Sequence, residues 1–80
     1  MKHNIKVYGQ PDCPNCEKMK GFLKEKGLEF KYLDLEDPAA DKEEVSAVMA
    51  ESIIVSAGIL PIVNIDGNLF SMTEAMRDLV

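Results

Sequence analysis

The amino-acid sequence predicts one α/β domain: a four-stranded mixed sheet flanked by three helices, in the order βαβ–α–ββα. Three observations carry that prediction. A β-rich segment, a helical apolar stripe and a second β-rich segment follow one another over residues 5–35, the length a parallel crossover needs. Asp66-Gly67 stands between two short apolar segments and is a two-residue hairpin signal, which adds an antiparallel half. The chain has 80 residues, enough for one hydrophobic core, so residues 1–80 form a single domain.

Each element has its own warrant. Ile5-Lys6-Val7-Tyr8 alternates in character and is rich in β-formers, and the turn-prone Gly9-Gln10-Pro11-Asp12 ends it. From Pro14 to Lys26, Cys16, Met19, Phe22 and Leu23 recur at three- and four-residue spacing, and Gly27 stands where a left-handed cap is needed. Leu28–Leu35 reads as the second strand. Asp37-Pro38 is a helix-start pair, and Val45, Val48 and Met49 give the second helix an apolar stripe ending near Ser52. Residues 53–60 fit either a helix end or an irregular loop and stay unassigned. Pro61–Ile65 and Asn68–Ser71 are the hairpin strands. Ser71-Met72-Thr73-Glu74 matches a capping box, with Thr73 as an alternative cap, and Met76, Leu79 and Val80 supply the apolar face of a short last helix.

Composition narrows the function classes. The chain is 46% hydrophobic and 29% charged, the make-up of a globular protein. No run approaches the roughly eighteen apolar residues of a membrane span, and Met1-Lys2-His3-Asn4-Ile5-Lys6 has no apolar signal core, so the expected location is the cytoplasm and no membrane partner is expected. A net charge of −5 disfavours nucleic acid, which leaves proteins or small molecules as partners.

The two cysteines, Cys13 and Cys16, are separated by Pro14 and Asn15. A bridge closing so short a loop removes little chain entropy, so its purpose is chemical rather than stabilising. The pair falls where a strand turns into a helix. Cys13, at or beside the helix N-cap, meets unpaired N–H groups and the positive end of the helix dipole, which favour a thiolate, the nucleophilic form. Pro14 suits the first helical position. Cys16, one turn further in, is placed to attack a mixed disulfide formed at Cys13. The competing reading of such a pair is zinc, but a structural site takes four ligands and the chain offers these two cysteines and His3. A third reading is two buried cysteines without a role.

The run from Ile5 to Cys16, the later Leu60-Pro61-Ile62-Val63 and the Asp66-Gly67 hairpin together resemble a glutaredoxin of the dithiol CPxC type, and the match in element order covers almost the whole chain. The resemblance implies a thioredoxin-like fold and a thiol–disulfide oxidoreductase with no bound cofactor and glutathione as electron donor. It also implies a cis peptide before Pro61, beside the cysteines, with the backbone of Leu60 pairing with the substrate. Two positions depart from the family pattern. Gln10 stands where a Lys or Arg usually meets a carboxylate of glutathione, and Ser71-Met72-Thr73-Glu74 replaces the Gly-Gly and acidic residues that grip its glutamyl end. Backbone N–H groups of Thr73 and Glu74 are the remaining candidates for holding that carboxylate.

The expected activity is therefore reduction of protein or glutathione mixed disulfides by a monomer, with Cys13 and Cys16 catalytic. The substrate-binding candidates are Gln10, Pro14, Asn15, Leu60, Pro61, Thr73 and Glu74, with Met72 a further candidate for the groove wall. Two alternatives stand beside it. One is a redoxin recharged by thioredoxin reductase that serves a reductase such as ribonucleotide reductase, although the Trp-bearing signature of those relatives is absent. The other is a binding module sharing a metal or iron–sulfur cluster between two chains through Cys13. The four lysines Lys18, Lys20, Lys24 and Lys26 read as a solvated face of the first helix.

Overall fold

The computed structural model describes residues 4–57 and 60–79, with the backbone alone for Ser56. His3, Gly58, Ile59 and Val80 lie outside the described residues. The elements run β1 (Ile5–Gly9), α1 (Pro14–Glu25), β2 (Lys31–Asp34), α2 (Lys42–Ser56), β3 (Ile62–Ile65), β4 (Asn68–Ser71) and α3 (Met72–Asp78). The sheet has the order β2-β1-β3-β4, with β1 parallel to β2 and antiparallel to β3, and β3 antiparallel to β4. This is the four-stranded mixed sheet with three helices that the sequence predicts, a thioredoxin-like fold.

The strand pleat sorts the core into two faces. Ile5, Val7, Val63 and Ile65 point toward α1 and α3, where they pack with Met19, Leu23 and Ala75. Tyr8 and Ile62 point the other way, toward Val48 of α2. Lys6 shares that second face, and its Nζ lies 2.6 Å from Glu44 Oε2, which also accepts the Tyr8 hydroxyl at 2.9 Å. Burial and the adjacent Glu44 carboxylate push the Tyr8 phenol up to about 12.

Four boundaries differ from the sequence expectation. The second strand covers Lys31–Asp34 rather than 28–35, because its partner β1 pairs only from Lys6 to Gly9; Leu28 and Phe30 pack against the α1/α3 core on the way in. The second helix does not begin at Asp37-Pro38. Asp37 accepts the Ala39 N–H through its side chain and the Ala40 N–H through its carbonyl, closing a separate turn, and Asp41 is the cap, its Oδ1 accepting from Glu43 N at 2.9 Å. The same helix runs past Ser52 to Ser56, since no glycine or proline interrupts it, and stops at Ala57 in the left-handed conformation (φ 55°). It thus absorbs much of the unassigned segment. The third strand starts at Ile62, one residue after Pro61.

Two turn expectations are met in detail. Asp66 and Gly67 both have positive φ (52° and 94°), the geometry of a tight hairpin whose twist matches its strands. Ser71 caps α3: its Oγ accepts the Glu74 N–H at 3.3 Å and donates to Glu74 Oε1 at 3.0 Å.

Candidate redox site at the start of the first helix

The site is built at the end of β1. The chain leaves the strand at Gly9 and turns through Asp12, whose φ of 57° lies in the left-handed region that Asp tolerates better than most residues. Cys13 follows as the N-cap of α1 in extended conformation, and Pro14 occupies the first turn, where its missing N–H costs nothing. The Cys16 N–H donates to Cys13 Sγ at 3.1 Å. Cys13 and Cys16 form a disulfide with Cα atoms 5.2 Å apart.

The two sulfurs sit in unlike surroundings. Cys13 is half-buried and borders an open depression with Asp12, Pro14 and Glu17. Cys16 is 1% exposed and belongs to the buried stripe of α1 with Met19 and Leu23. Gly9 makes room for it: a Cβ at that position would stand 2.6 Å from Cys16 Sγ and 2.7 Å from Tyr32 Oη, closer than real atoms approach.

On the other side of the motif lies a groove of about 260 Å³ lined by Asn15, Val55, Leu60, Pro61, Ser71, Met72 and Thr73. The Leu60–Pro61 peptide is cis. The groove therefore gathers four of the substrate-binding candidates, Asn15, Leu60, Pro61 and Thr73, together with Met72. Pro14 is exposed at the helix start, on the side of the depression.

Gln10 and Glu74 stand apart from the groove. Gln10 is exposed and does not line the groove, and its carbonyl accepts the Tyr32 hydroxyl at 3.4 Å. Glu74 is held in the capping box, where its N–H and its carboxylate are both engaged by Ser71. Val55 and Tyr32 escaped the sequence reading as residues near the cysteines, Gly9 was read only as part of a turn, and Ser71 only within the capping-box segment. Strand parity would have put Tyr32 on the α1 side of the sheet, beside Val7, but nothing local tied it to the cysteines. Among the described residues no three of His, Cys, Asp and Glu gather as metal ligands, and no helix is long and apolar enough to cross a membrane.

The sequence model of the Glutaredoxin family matches residues 5–70, most of the chain and all of the site except Ser71, Met72 and Thr73 of the groove. The chain belongs to the glutaredoxin family. A glutaredoxin-like 8.6 kDa protein of the rubredoxin operon of Clostridium pasteurianum is 35% identical over 65 residues, covering 81% of this chain and 79% of its own. Glutaredoxin 3 of Escherichia coli K12 is 36% identical over 42 residues, about half of either chain (52% and 51%). Among solved structures, the glutaredoxin of Archaeoglobus fulgidus superposes with a TM-score of 0.66 over 95% of this chain and 84% of its own; at 23% identity that likeness is one of fold. A point mutant of the thioredoxin-like protein BC3987 reaches a TM-score of 0.67 at 27% identity, covering 95% of this chain and 97% of its own. A glutaredoxin domain carrying a CxxC pair is equipped for thiol–disulfide exchange in general.

Proposed function

We propose that this glutaredoxin is a cytoplasmic, monomeric dithiol reductase of protein disulfides and glutathione mixed disulfides, with Cys13 as nucleophile, Cys16 as resolving thiol and glutathione as the electron donor. The observation that carries the reading is the asymmetry of the pair: Cys13 Sγ is half-buried at a helix N-cap and accepts the Cys16 N–H, while Cys16 is sealed behind it. A thiolate at Cys13 keeps that hydrogen bond, strengthened by its charge, and gains from the positive end of α1. An incoming disulfide meets Cys13 before it can meet Cys16.

The reaction then balances in two displacements. The Cys13 thiolate attacks one sulfur of a disulfide R–S–S–R′, forming Cys13–S–S–R and expelling R′S⁻. Cys16, ionised, attacks Cys13 Sγ, expels RS⁻ and closes the Cys13–Cys16 bond. The protein dithiol loses two electrons to the substrate, and the two protons released by the cysteines are taken up by the two product thiolates. Two glutathione thiols reverse the change and leave as oxidised glutathione. The groove beside the motif, with Leu60, Pro61, Asn15 and Thr73 in its lining, supports the peptide flanking the reacting sulfur.

Turnover of a small mixed disulfide, coupled to NADPH through glutathione and glutathione reductase, tests this directly. Cys13→Ser abolishes the activity, whereas Cys16→Ser retains only the reaction on glutathione mixed disulfides. Full reductase activity in the Cys13 variant overturns the mechanism. Turnover with thioredoxin reductase in place of glutathione overturns the choice of donor.

A further inference from the structure

The buried sulfur of Cys16 has a neighbour that the mechanism above does not use. Gly9 leaves no room for even one methyl group, because Cys16 Sγ and Tyr32 Oη are both packed against its Cα, 2.6 and 2.7 Å from where a Cβ would stand. Tyr32 reaches this glycine from β2, on the face of the sheet that carries α1. It is 36% exposed, and its ring lies under Lys20, whose Nζ is 4.3 Å from the ring centroid and 2.9 Å from Glu17 Oε1. The hydroxyl donates to the Gln10 carbonyl at 3.4 Å, a long bond that is readily exchanged for a better acceptor.

A better acceptor arises during turnover. When the second cysteine attacks, or when the Cys13–Cys16 bond is opened at Cys13, negative charge stands on Cys16 Sγ inside a pocket with almost no access to water. A buried thiolate without a donor is costly, and a hydrogen bond to a charged group is worth more than one to a neutral group. Resting on the dithiol reading above, we propose that the Tyr32 hydroxyl, packed against the same glycine as Cys16 Sγ, exchanges the Gln10 carbonyl for the Cys16 thiolate and donates a hydrogen bond to it, making Tyr32 a catalytic residue of the resolving step. The proton stays on oxygen: no group is transferred, and the displacement balances as written above.

Two features fit this role. Burial holds the Tyr32 phenol above its ordinary value, and Asp34 and Glu17 add to that while Lys20 opposes it, so the hydroxyl keeps its proton at neutral pH and remains a donor. The absence of a side chain at Gly9 is what lets the oxygen and the sulfur both pack against its Cα. The groups around the pair are Gly9 and Gln10 at the end of β1, Asp34 on β2, and Cys13, Glu17 and Lys20 on α1.

Tyr32→Phe tests the proposal, because it keeps the ring under Lys20 and removes only the hydroxyl. In a Cys13→Ser background Cys16 is the sole thiol, and its ionisation is followed by the ultraviolet absorbance of the thiolate across pH. Adding Tyr32→Phe is expected to move that titration upward. In the dithiol protein the same substitution slows closure of the Cys13–Cys16 bond, read as release of the second thiol in a single turnover, by roughly tenfold. Gly9→Ala, whose Cβ would press on both atoms and displace them with the hydroxyl intact, moves the titration in the same direction. Coincident titration curves with and without the hydroxyl overturn the proposal. The titration needs no substrate, so its outcome is separate from that of the coupled assay, whose failure would count against the functional reading instead.

Discussion

On one side of the sheet, α1 and α3 bury Met19, Leu23 and Ala75 completely against Val7 and Val63. On the other, α2 buries Val48 and Ser52 among its described side chains, while Met49, Ile53 and Ile54 stand 55%, 71% and 81% exposed. The contrast follows from how each helix distributes its apolar residues. In α1 they recur on one stripe, at Cys16, Met19 and Leu23, with lysines and glutamates elsewhere. In α2 the consecutive Ile53, Ile54 and Val55 are spread around the helix, so no single face can bury them all.

The difference bears on function because the two sides serve the site differently. Cys16 is part of the stripe that α1 buries, so its sulfur is positioned by the same packing that holds the fold together. From α2 the groove receives Val55. A perturbation of α2 therefore reaches the groove wall, whereas a perturbation of α1 reaches the Cys16 sulfur.

Substitutions on the two sides break or sharpen this contrast. Leu23→Ala, at a fully buried position of α1, is expected to destabilise the fold by about 3 kcal/mol, through lost transfer energy and a cavity that close packing cannot collapse. Urea denaturation measures it, and a cost like that of a surface change would show that the α1 side is not the rigid one. A smaller effect belongs to the link between β1 and α2. The hydrogen bond from Lys6, then that from Tyr8, holds the Glu44 carboxyl below its ordinary value of 4.5. The native state thus binds the Glu44 proton more weakly than the unfolded chain does. The stabilisation is complete above pH 4.5 and is lost as pH falls through the depressed native value. Acid titration of stability should accordingly decline less steeply in Glu44→Gln than in the parent. The smallest effect is expected at Ile54→Ser, within about 0.5 kcal/mol, since that side chain is already in water. A large loss there would mean that the exposed face of α2 is covered in solution.

Local chemistry made much of this readable in advance. The element order, the Asp66-Gly67 hairpin and the Ser71 capping box rest on residues close together in the chain, and the structure returns all three. Misplaced boundaries arose where two local signals competed. Asp37-Pro38 and Asp41 are both plausible helix starts, and the choice went to Asp41, whose side chain meets the free N–H groups of Glu43 and Glu44. The end of α2 was illegible for a related reason: an apolar triplet says nothing about helix or loop until neighbours are known.

By itself, the sequence determined that this protein carries a CxxC cysteine pair at a strand-to-helix junction of an α/β domain. Strand propensity, helix periodicity and capping act over a few residues, and the pair lies within their reach. Tertiary structure alone decided what surrounds the pair. Val55, Pro61 and Met72 line one groove, and Tyr32 and Cys16 both pack against Gly9, through meetings of elements far apart in the chain. Such meetings depend on strand register and on the angle at which helices settle on the sheet, and no local pattern of residue types encodes either.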